Sequence, residues 1–270
     1  MSTDNHTLRR SLARQGHDRS IQAKHRRMYH HFKTAPVRLG LLMTVLWVTL
    51  SSCLNAPTQP TASVSPEGWQ EEFNLDARKL KDTGEATYFI LVPGFQITLE
   101  SQTETLVISV LDETREIGGI TTRVVEEREH RNGELYEVSR NFYAIDPETA
   151  DVFYFGEEVD FYSQGKVTGH SGAWIAYEDE NRPGLIMPGT PLVGMKYYQE
   201  IAPGVATDRA RVVSNSEVFT TAIGEFENCL LTQESSQLNP AAIEYKTYCP
   251  GIGLVQDQSL LLTSYGYSQP

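Results

Sequence analysis

The chain has 270 residues, of which 40% are hydrophobic and three are Cys. Its length suffices for one sizeable core, its hydrophobic content excludes a chain disordered throughout, and its few Cys exclude a disulfide-dense scaffold. The net charge of −12 is unevenly divided, because residues 53–270 hold 14 Lys and Arg against 33 Asp and Glu. So acidic a body repels phosphate backbones, and we expect no nucleic-acid partner.

The N-terminal region has the layout of an export signal. Basic residues, among them Arg26, Arg27 and Arg38, precede an uncharged apolar run, LGLLMTVLWVTL, at positions 39–50. A membrane-spanning helix needs about 20 such residues, so a run this short is typical of a signal peptide. We therefore interpret residues 1–52 as a signal peptide with an extended basic n-region. Met28 is an alternative start that would give a leader of more usual length.

The apolar run ends in Leu50-Ser51-Ser52-Cys53, which resembles the lipobox of bacterial lipoproteins. The resemblance implies that the Cys53 thiol receives a diacylglycerol and that Cys53 becomes the mature N-terminus. Stable membrane attachment takes more than one acyl chain, a condition that a diacylated Cys meets. The alternative is an ordinary secretory signal with a chance Cys. Leu54 stands where inner-membrane lipoproteins carry Asp, which favours the outer membrane, with the protein facing the periplasm.

The next segment predicts a tether and then a helix. Residues 53–68 hold three Pro and no apolar period, so we expect a lipidated Cys followed by a flexible, extended linker. Ser65-Pro66 can begin a helix, and Trp69, Phe73, Ala77 and Leu80 share one helical face. One short amphipathic helix is therefore predicted, packed against its own domain.

Residues 69–270 are predicted to form a single β-rich domain. Beyond Thr87, runs of Val, Ile, Thr, Tyr and Phe alternate with turn residues, a pattern typical of antiparallel strands. Asn132-Gly133 favours a type I′ hairpin, whose register would place Arg128 opposite Glu137. The predicted fold is mainly β: one twisted antiparallel sheet, half-barrel or sandwich, with the short N-terminal helix against it.

Cys229 and Cys249 are predicted to form a disulfide. They lie on two strand-like runs around a loop near Asn239-Pro240, so a hairpin centred there brings them opposite each other. Export would place them in an oxidising compartment, where such a pair persists. The alternatives are two buried thiols or a pair of metal ligands that has no His partner.

Sequence motifs for catalysis and metal binding are weak. Gly169-His170-Ser171 approaches a nucleophile elbow, but no His follows Ser171 and no Gly-rich oxyanion segment is present. His130 and His170 are the only His after residue 53, and neither has a second soft ligand at suitable spacing. We therefore predict no metal site, no cofactor and no assigned catalytic residue.

Aromatic and acidic residues concentrate in the central strands. Because neighbours on a strand point to opposite faces, one face can form the core while the other offers stacking surface to a ligand. Acidic residues accompany these aromatics, and a pair of them could serve a glycosidase if the two carboxyls faced each other across a cleft. The candidate binding residues are Tyr154, Glu157, Trp174, Tyr197, Glu200 and Asp208.

Five stretches, DVFYFGE, GAW, PGLIMP, YYQE and PGIGLV, occur in this order along the chain. Together they resemble a family of exported, lipid-anchored bacterial envelope proteins of unassigned function. Residues 146, 154–157, 174, 188, 197, 199, 200 and 208 fit its pattern, whereas Tyr198 stands where Arg is usual. The resemblance implies an envelope protein and implies no reaction.

These observations favour a lipid-anchored envelope protein that serves as a non-catalytic binding or assembly module. The expected partners are the membrane, through the N-terminal anchor, and a lipid, a glycan or another envelope protein. One alternative is a carbohydrate-active envelope hydrolase that uses a carboxylate pair drawn from Glu157, Glu200 and Asp208. Another is a structural envelope component that has no ligand.

Overall fold

The computed structural model describes residues 68–267, which fall within one compact unit. It confirms the predicted mainly antiparallel β-fold, with one large sheet and a separate two-stranded hairpin. The strands are β1 (Gly84–Ala86), β2 (Phe89–Leu91), β3 (Phe95–Glu100), β4 (Glu104–Ile117), β5 (Ile120–Arg131), β6 (Glu134–Ile145), β7 (Val152–Ser163), β8 (Lys166–Gly169), β9 (Trp174–Ile175), β10 (Arg182–Met187), β11 (Lys196–Tyr198), β12 (Glu200–Ile201), β13 (Asp208–Thr221), β14 (Gly224–Ser236), β15 (Ile243–Cys249), β16 (Gly253–Asp257) and β17 (Leu260–Tyr267). None of the helical structure in this part of the chain is long and apolar enough to cross a membrane.

The tight turns of the large sheet follow from their residue types. Gly118-Gly119, Asn132-Gly133 and Gln164-Gly165 each have positive φ at both positions. Two consecutive positive φ angles are the requirement of a type I′ turn, which Gly and Asn tolerate best. The hairpin predicted at Asn132-Gly133, between β5 and β6, is thereby confirmed.

The register of this hairpin differs from the prediction. Glu137 lies opposite Glu129 instead of Arg128. The reason is a β-bulge, because Tyr136 has no partner of its own on β5 and shifts the pairing by one residue. The predicted pair of Arg128 with Glu137 is therefore wrong.

The large sheet curls until its two ends meet on one stretch of chain, residues 196–201. β11 pairs with β13 at one end of the strand order, and β12 pairs with β10 at the other. Only Gln199 separates β11 from β12, and its N–H donates to the carbonyl oxygen of Asp208 at 2.7 Å. The sheet is therefore nearly a barrel.

The two ends of this barrel differ. At one, which we call the turn end, lie the short connections at residues 101–103, 132–133 and 258–259. The opposite, covered end is crossed by the hairpin of β1 and β2. There the Tyr88 hydroxyl donates to the carbonyl oxygen of Asn228 at 2.9 Å, and the Gly251 N–H donates to that of Thr87 at 2.9 Å.

The helix predicted over residues 69–80 is not formed. The Gln70 N–H donates to the carbonyl oxygen of Lys196 at 2.9 Å, and the Gln70 carbonyl oxygen accepts from the Tyr198 N–H at 3.0 Å. Only Leu75–Ala77 forms a single 3-10 turn, which Asn74 precedes with φ 49°. A helix this short is marginal by itself, and here the backbone pairs with β11 instead.

The aromatic residues of this segment still pack against the domain, as predicted. The ring of Phe73 lies 5.9 Å from that of Phe153, and the ring of Trp69 lies 6.2 Å from that of Tyr198. Phe153 points away from the barrel interior, so the segment covers the outer face of β7. The prediction was thus right that Trp69 and Phe73 pack against the domain and wrong about the backbone conformation, and Ala77 is exposed.

The predicted disulfide between Cys229 and Cys249 is present, with the two Cα atoms 4.3 Å apart. Their neighbours Leu230 and Tyr248 are direct partners in the pairing of β14 with β15. Both Cys residues are fully buried near the covered end of the barrel. The disulfide therefore joins two adjacent strands and has a structural role.

Candidate ligand cavity

The interior of the barrel contains a cavity of about 380 Å³. One part of its wall is apolar and is contributed mainly by β3, β4 and the start of β16. The apolar side chains here include Phe95, Ile97, Leu106, Ile108, Val110 and Ile252. A space of this size falls in the range of small-molecule sites, which are usually concave and largely apolar.

The rest of the wall is acidic and lies towards the turn end. Seven carboxylates and a single Lys, Lys246, line it. The acidic residues are Glu127, Glu137, Glu157, Glu200, Asp208, Glu234 and Asp257. Carboxylates enclosed in a barrel lose hydration, so their negative charge needs a compensating partner or a bound proton.

Lys246 forms ion pairs with two of these seven carboxylates. Its Nζ lies 3.3 Å from Oε2 of Glu234 and 3.6 Å from Oδ2 of Asp257. Glu234 also accepts hydrogen bonds from the hydroxyls of Thr232 at 2.9 Å and Tyr248 at 3.1 Å. Glu234 and Lys246 are therefore held in a polar network, whereas Oδ1 of Asp257 is buried and accepts no hydrogen bond within the described residues.

A β-bulge directs Glu157 into the cavity. Tyr154 pairs with Tyr143 and Glu157 with Asn141, so β7 advances by three residues where β6 advances by two. The extra residue restores Glu157 to the face that Tyr154 occupies, a known use of bulges near functional sites. Without the bulge, strict alternation would place the two side chains on opposite faces.

Gly156 makes this bulge compatible with the neighbouring strand. Its φ is +133°, and a Cβ there would lie 2.3 Å from the carbonyl oxygen of Trp174. β9 can therefore approach closely enough for Trp174 to pair with Glu157. The ring of Trp174 packs at 5.3 Å from that of Tyr154, whose hydroxyl donates to Asn141.

Burial raises the pKa of the central carboxyls. It raises the pKa of Glu157 to about 8, with further contributions from the charges of Glu127 and Glu137. It raises the pKa of Glu200 well above its usual range, and the charges of Glu157 and Asp208 act in the same direction. These carboxyls are therefore close enough to repel one another when ionised.

The same effect extends along β5 and β6. Burial raises the pKa of Glu137 to about 7, and the charges of Glu129 and Glu127 add to the rise. Burial also raises the pKa of Glu127 to about 6, although Lys246 opposes the rise. Near neutral pH this side of the wall therefore retains protons that exposed carboxyls would have lost.

Four of the six candidate binding residues, Tyr154, Glu157, Glu200 and Asp208, line the cavity. Trp174 lies beside it, paired with Glu157. Tyr197 is fully buried in the wall, and its hydroxyl makes no hydrogen bond within the described residues. The structure thus brings five of the six together, with Tyr197 behind them.

Sequence reasoning missed the acidic residues of other strands. Glu127, Glu137, Glu234 and Asp257, together with Lys246, line the same cavity and were not among the candidate binding residues. Part of the signal is present, because Val125 and Glu127 alternate on β5 and both face inwards. No such signal exists for Glu137, which the unpredicted bulge at Tyr136 turns inwards.

Cys53, the signal peptide and the tether lie outside the described residues. Within residues 68–267, no three His, Cys, Asp or Glu side chains are grouped so as to hold a metal ion. No protein-family model, curated protein or solved structure matches the chain.

Proposed function

We propose that this chain is a lipid-anchored envelope protein that binds a small, largely apolar molecule inside its barrel and catalyses no reaction. The observation that carries the proposal is the cavity of about 380 Å³, with its apolar wall on β3 and β4. Protein interiors pack closely and leave few voids larger than a water molecule. A purely structural barrel of this size would gain stability by filling that space.

The protonation of the acidic wall supports binding over hydrolysis. A glycosidase keeps one carboxyl protonated and the other ionised through different environments. Here burial raises the pKa of both Glu157 and Glu200, and the charge of Glu157 raises the pKa of Glu200 further. The pair thus lacks the asymmetry that an acid and a nucleophile require.

The anchor at Cys53 is the second part of the proposal. The lipobox-like sequence, the linker after it and the resemblance to exported envelope proteins all support attachment to a membrane, with the barrel facing the periplasm. The disulfide between Cys229 and Cys249 is consistent with an oxidising compartment. The tether at residues 53–68 would separate the barrel from the bilayer.

Binding can be tested by calorimetry with 1-octanol, an uncharged probe with a slender apolar body. We expect the wild-type domain to bind it and Ile108→Trp to bind it at least ten-fold more weakly, because the larger side chain fills the cavity. Val218→Trp is the matched control, since Val218 is exposed on the outside. Absence of binding to the wild type, or equal binding by Ile108→Trp, would contradict the proposal.

The anchor can be tested by metabolic labelling with a palmitate analogue in a bacterial host. We expect label in the wild type and none in Cys53→Ala, which should also leave the membrane fraction. Equal labelling of the two proteins would remove the anchor from the proposal and leave the binding cavity unaffected.

A further inference from the structure

The charges of the cavity do not balance within the described chain. Lys246 serves Glu234 and Asp257. Lys246 is the one Lys that lines the cavity within residues 68–267, and its ion pairs leave out the other five carboxylates of the lining. These five are Glu127, Glu137, Glu157, Glu200 and Asp208. An excess of enclosed carboxylates favours a cation as the occupant.

Three of the five, Glu157, Glu200 and Asp208, come from β7, β12 and β13. Asp208 begins β13, and its carbonyl oxygen accepts the N–H of Gln199 beside Glu200. The charges of Glu157 and Asp208 raise the pKa of Glu200, and the charge of Asp208 also raises that of Glu157. β7, β12 and β13 thus present three carboxylates to one region of the cavity.

A buried hydrogen-bond donor lies beside them. Trp174 is 4% exposed, and its indole N–H forms no hydrogen bond of normal length within the described residues. The group is directed at Glu200, since it opposes the rise in the pKa of that carboxyl. A polar atom of a ligand would give this N–H a hydrogen bond of normal length.

We propose that the ligand carries a protonated amine, held by Glu157, Glu200 and Asp208, while its apolar body lies along the β3 and β4 side of the cavity. This inference rests on the proposed binding function and specifies the class of ligand as an amphipathic amine. An oxygen on the carbon chain next to the nitrogen would accept the indole N–H of Trp174. Ammonium groups are strongly attracted to paired carboxylates when both are withdrawn from water.

The cavity geometry favours this class over an anionic amphiphile. A fatty carboxylate would bring a further negative charge to a wall that has seven carboxyls and a single Lys. It would bind only with additional protons, whereas an amine replaces the protons that these carboxyls now hold.

The test compares 1-octylammonium, 1-octanol and octanoate, which share the same carbon chain, by calorimetry at pH 8. For the wild type we expect octylammonium to bind at least ten-fold more tightly than octanol, and octanoate to bind more weakly than octanol. In the double variant Glu157→Gln, Glu200→Gln the ratio of octylammonium to octanol affinity should fall to about one.

Glu158→Gln is the matched control, because Glu158 neighbours Glu157 on β7 but is exposed and pairs with Arg115 on the outside. It should keep the wild-type affinity ratio. Octanol binding without a preference for octylammonium would overturn this inference and leave the proposed function standing. An equal preference in the double variant would also overturn it. Failure of all three probes to bind the wild type would overturn both.

Discussion

Gly184 of β10 lies where two strands come unusually close. A Cβ at this position would be 2.1 Å from the carbonyl oxygen of Gln199 and 2.9 Å from the backbone N of Glu200. Both are backbone atoms, so they cannot move aside without displacing β12. One missing methyl group thus allows the barrel to close and places Glu200 at the cavity.

Gly184→Ala should therefore lower the free energy of unfolding by about 2 kcal/mol, within the 1–3 kcal/mol that overpacking costs. It should also weaken the binding of octylammonium, because β12 has to shift. Urea denaturation followed by circular dichroism measures the first effect, and calorimetry measures the second.

Gly169→Ala is the control for this experiment. Gly169 is a strand residue without a positive φ, and no atom lies within 4 Å of its added Cβ. Its unfolding midpoint should equal that of the wild type. If Gly184→Ala and Gly169→Ala had equal unfolding midpoints, β10 and β12 would tolerate separation, and Gly184 would not determine whether the barrel closes.

At the scale of elements, the disulfide fixes β14 to β15 at the covered end. Replacing both Cys229 and Cys249 by Ser should lower the free energy of unfolding by about 3 kcal/mol, because the open chain gains conformational entropy when it unfolds. Urea denaturation of the variant and of wild type with and without reductant measures the loss. Reduced wild type should have the same unfolding midpoint as the variant. A variant whose midpoint equals that of oxidised wild type would contradict this account.

The elements also show how far the sequence determined the fold. Period-two alternation and Asn132-Gly133 predicted antiparallel strands correctly, because these signals are local. The bulges at Tyr136 and near Gly156 were not predictable, since a bulge is fixed by pairing across strands. Each bulge adds one residue to its strand, so every later side chain on that strand points to the face opposite to the one that alternation predicts. This is why period-two alternation does not place Glu137 in the cavity.

The N-terminal segment illustrates a second limit of sequence reasoning. Its aromatic spacing matches a helix, yet Gln70 pairs with β11 and the chain runs extended. Helical spacing predicts buried positions only where a helix forms. Here hydrogen bonds to β11 hold the chain in an extended conformation instead. The cavity itself could not be predicted, because it requires residues from strands far apart in the chain to share one enclosed space.

Across the whole molecule, the barrel combines an apolar wall with an acidic one in a single enclosed space. In the ligand-free protein, the acidic wall relies on bound protons, since burial raises the pKa of Glu127, Glu137 and Glu157 above that of exposed Glu. Protons and the proposed amine therefore compete for the same carboxylates. Octylammonium affinity should rise with pH between 6 and 8, and calorimetry in buffers of different ionisation enthalpy should detect proton release.

The stability of the ligand-free protein should change with pH in the opposite direction. Folded-state pKa values of about 6 for Glu127 and about 7 for Glu137 exceed the ordinary 4.5, so between these limits the folded state binds more protons than the unfolded chain. The stability from this protonation is complete below about pH 4.5 and is lost as the pH rises towards 8. Urea denaturation at pH 5, 6.5 and 8 should therefore give a falling free energy of unfolding.

Glu137→Gln isolates the contribution of one group to this loss. The charges that face Glu137 are Glu129 and Glu127 on β5, which raise its pKa, and Arg131, which lowers it. Because one pKa unit corresponds to 1.36 kcal/mol and Glu137 is partly accessible, Gln should reduce the loss between pH 5 and 8 by about 2 kcal/mol. Glu134→Gln, at the exposed turn three residues earlier, should keep the wild-type slope. A wild-type free energy that stays level or rises across this range would mean that the acidic wall is hydrated and ionised, and that it needs neither protons nor a cation.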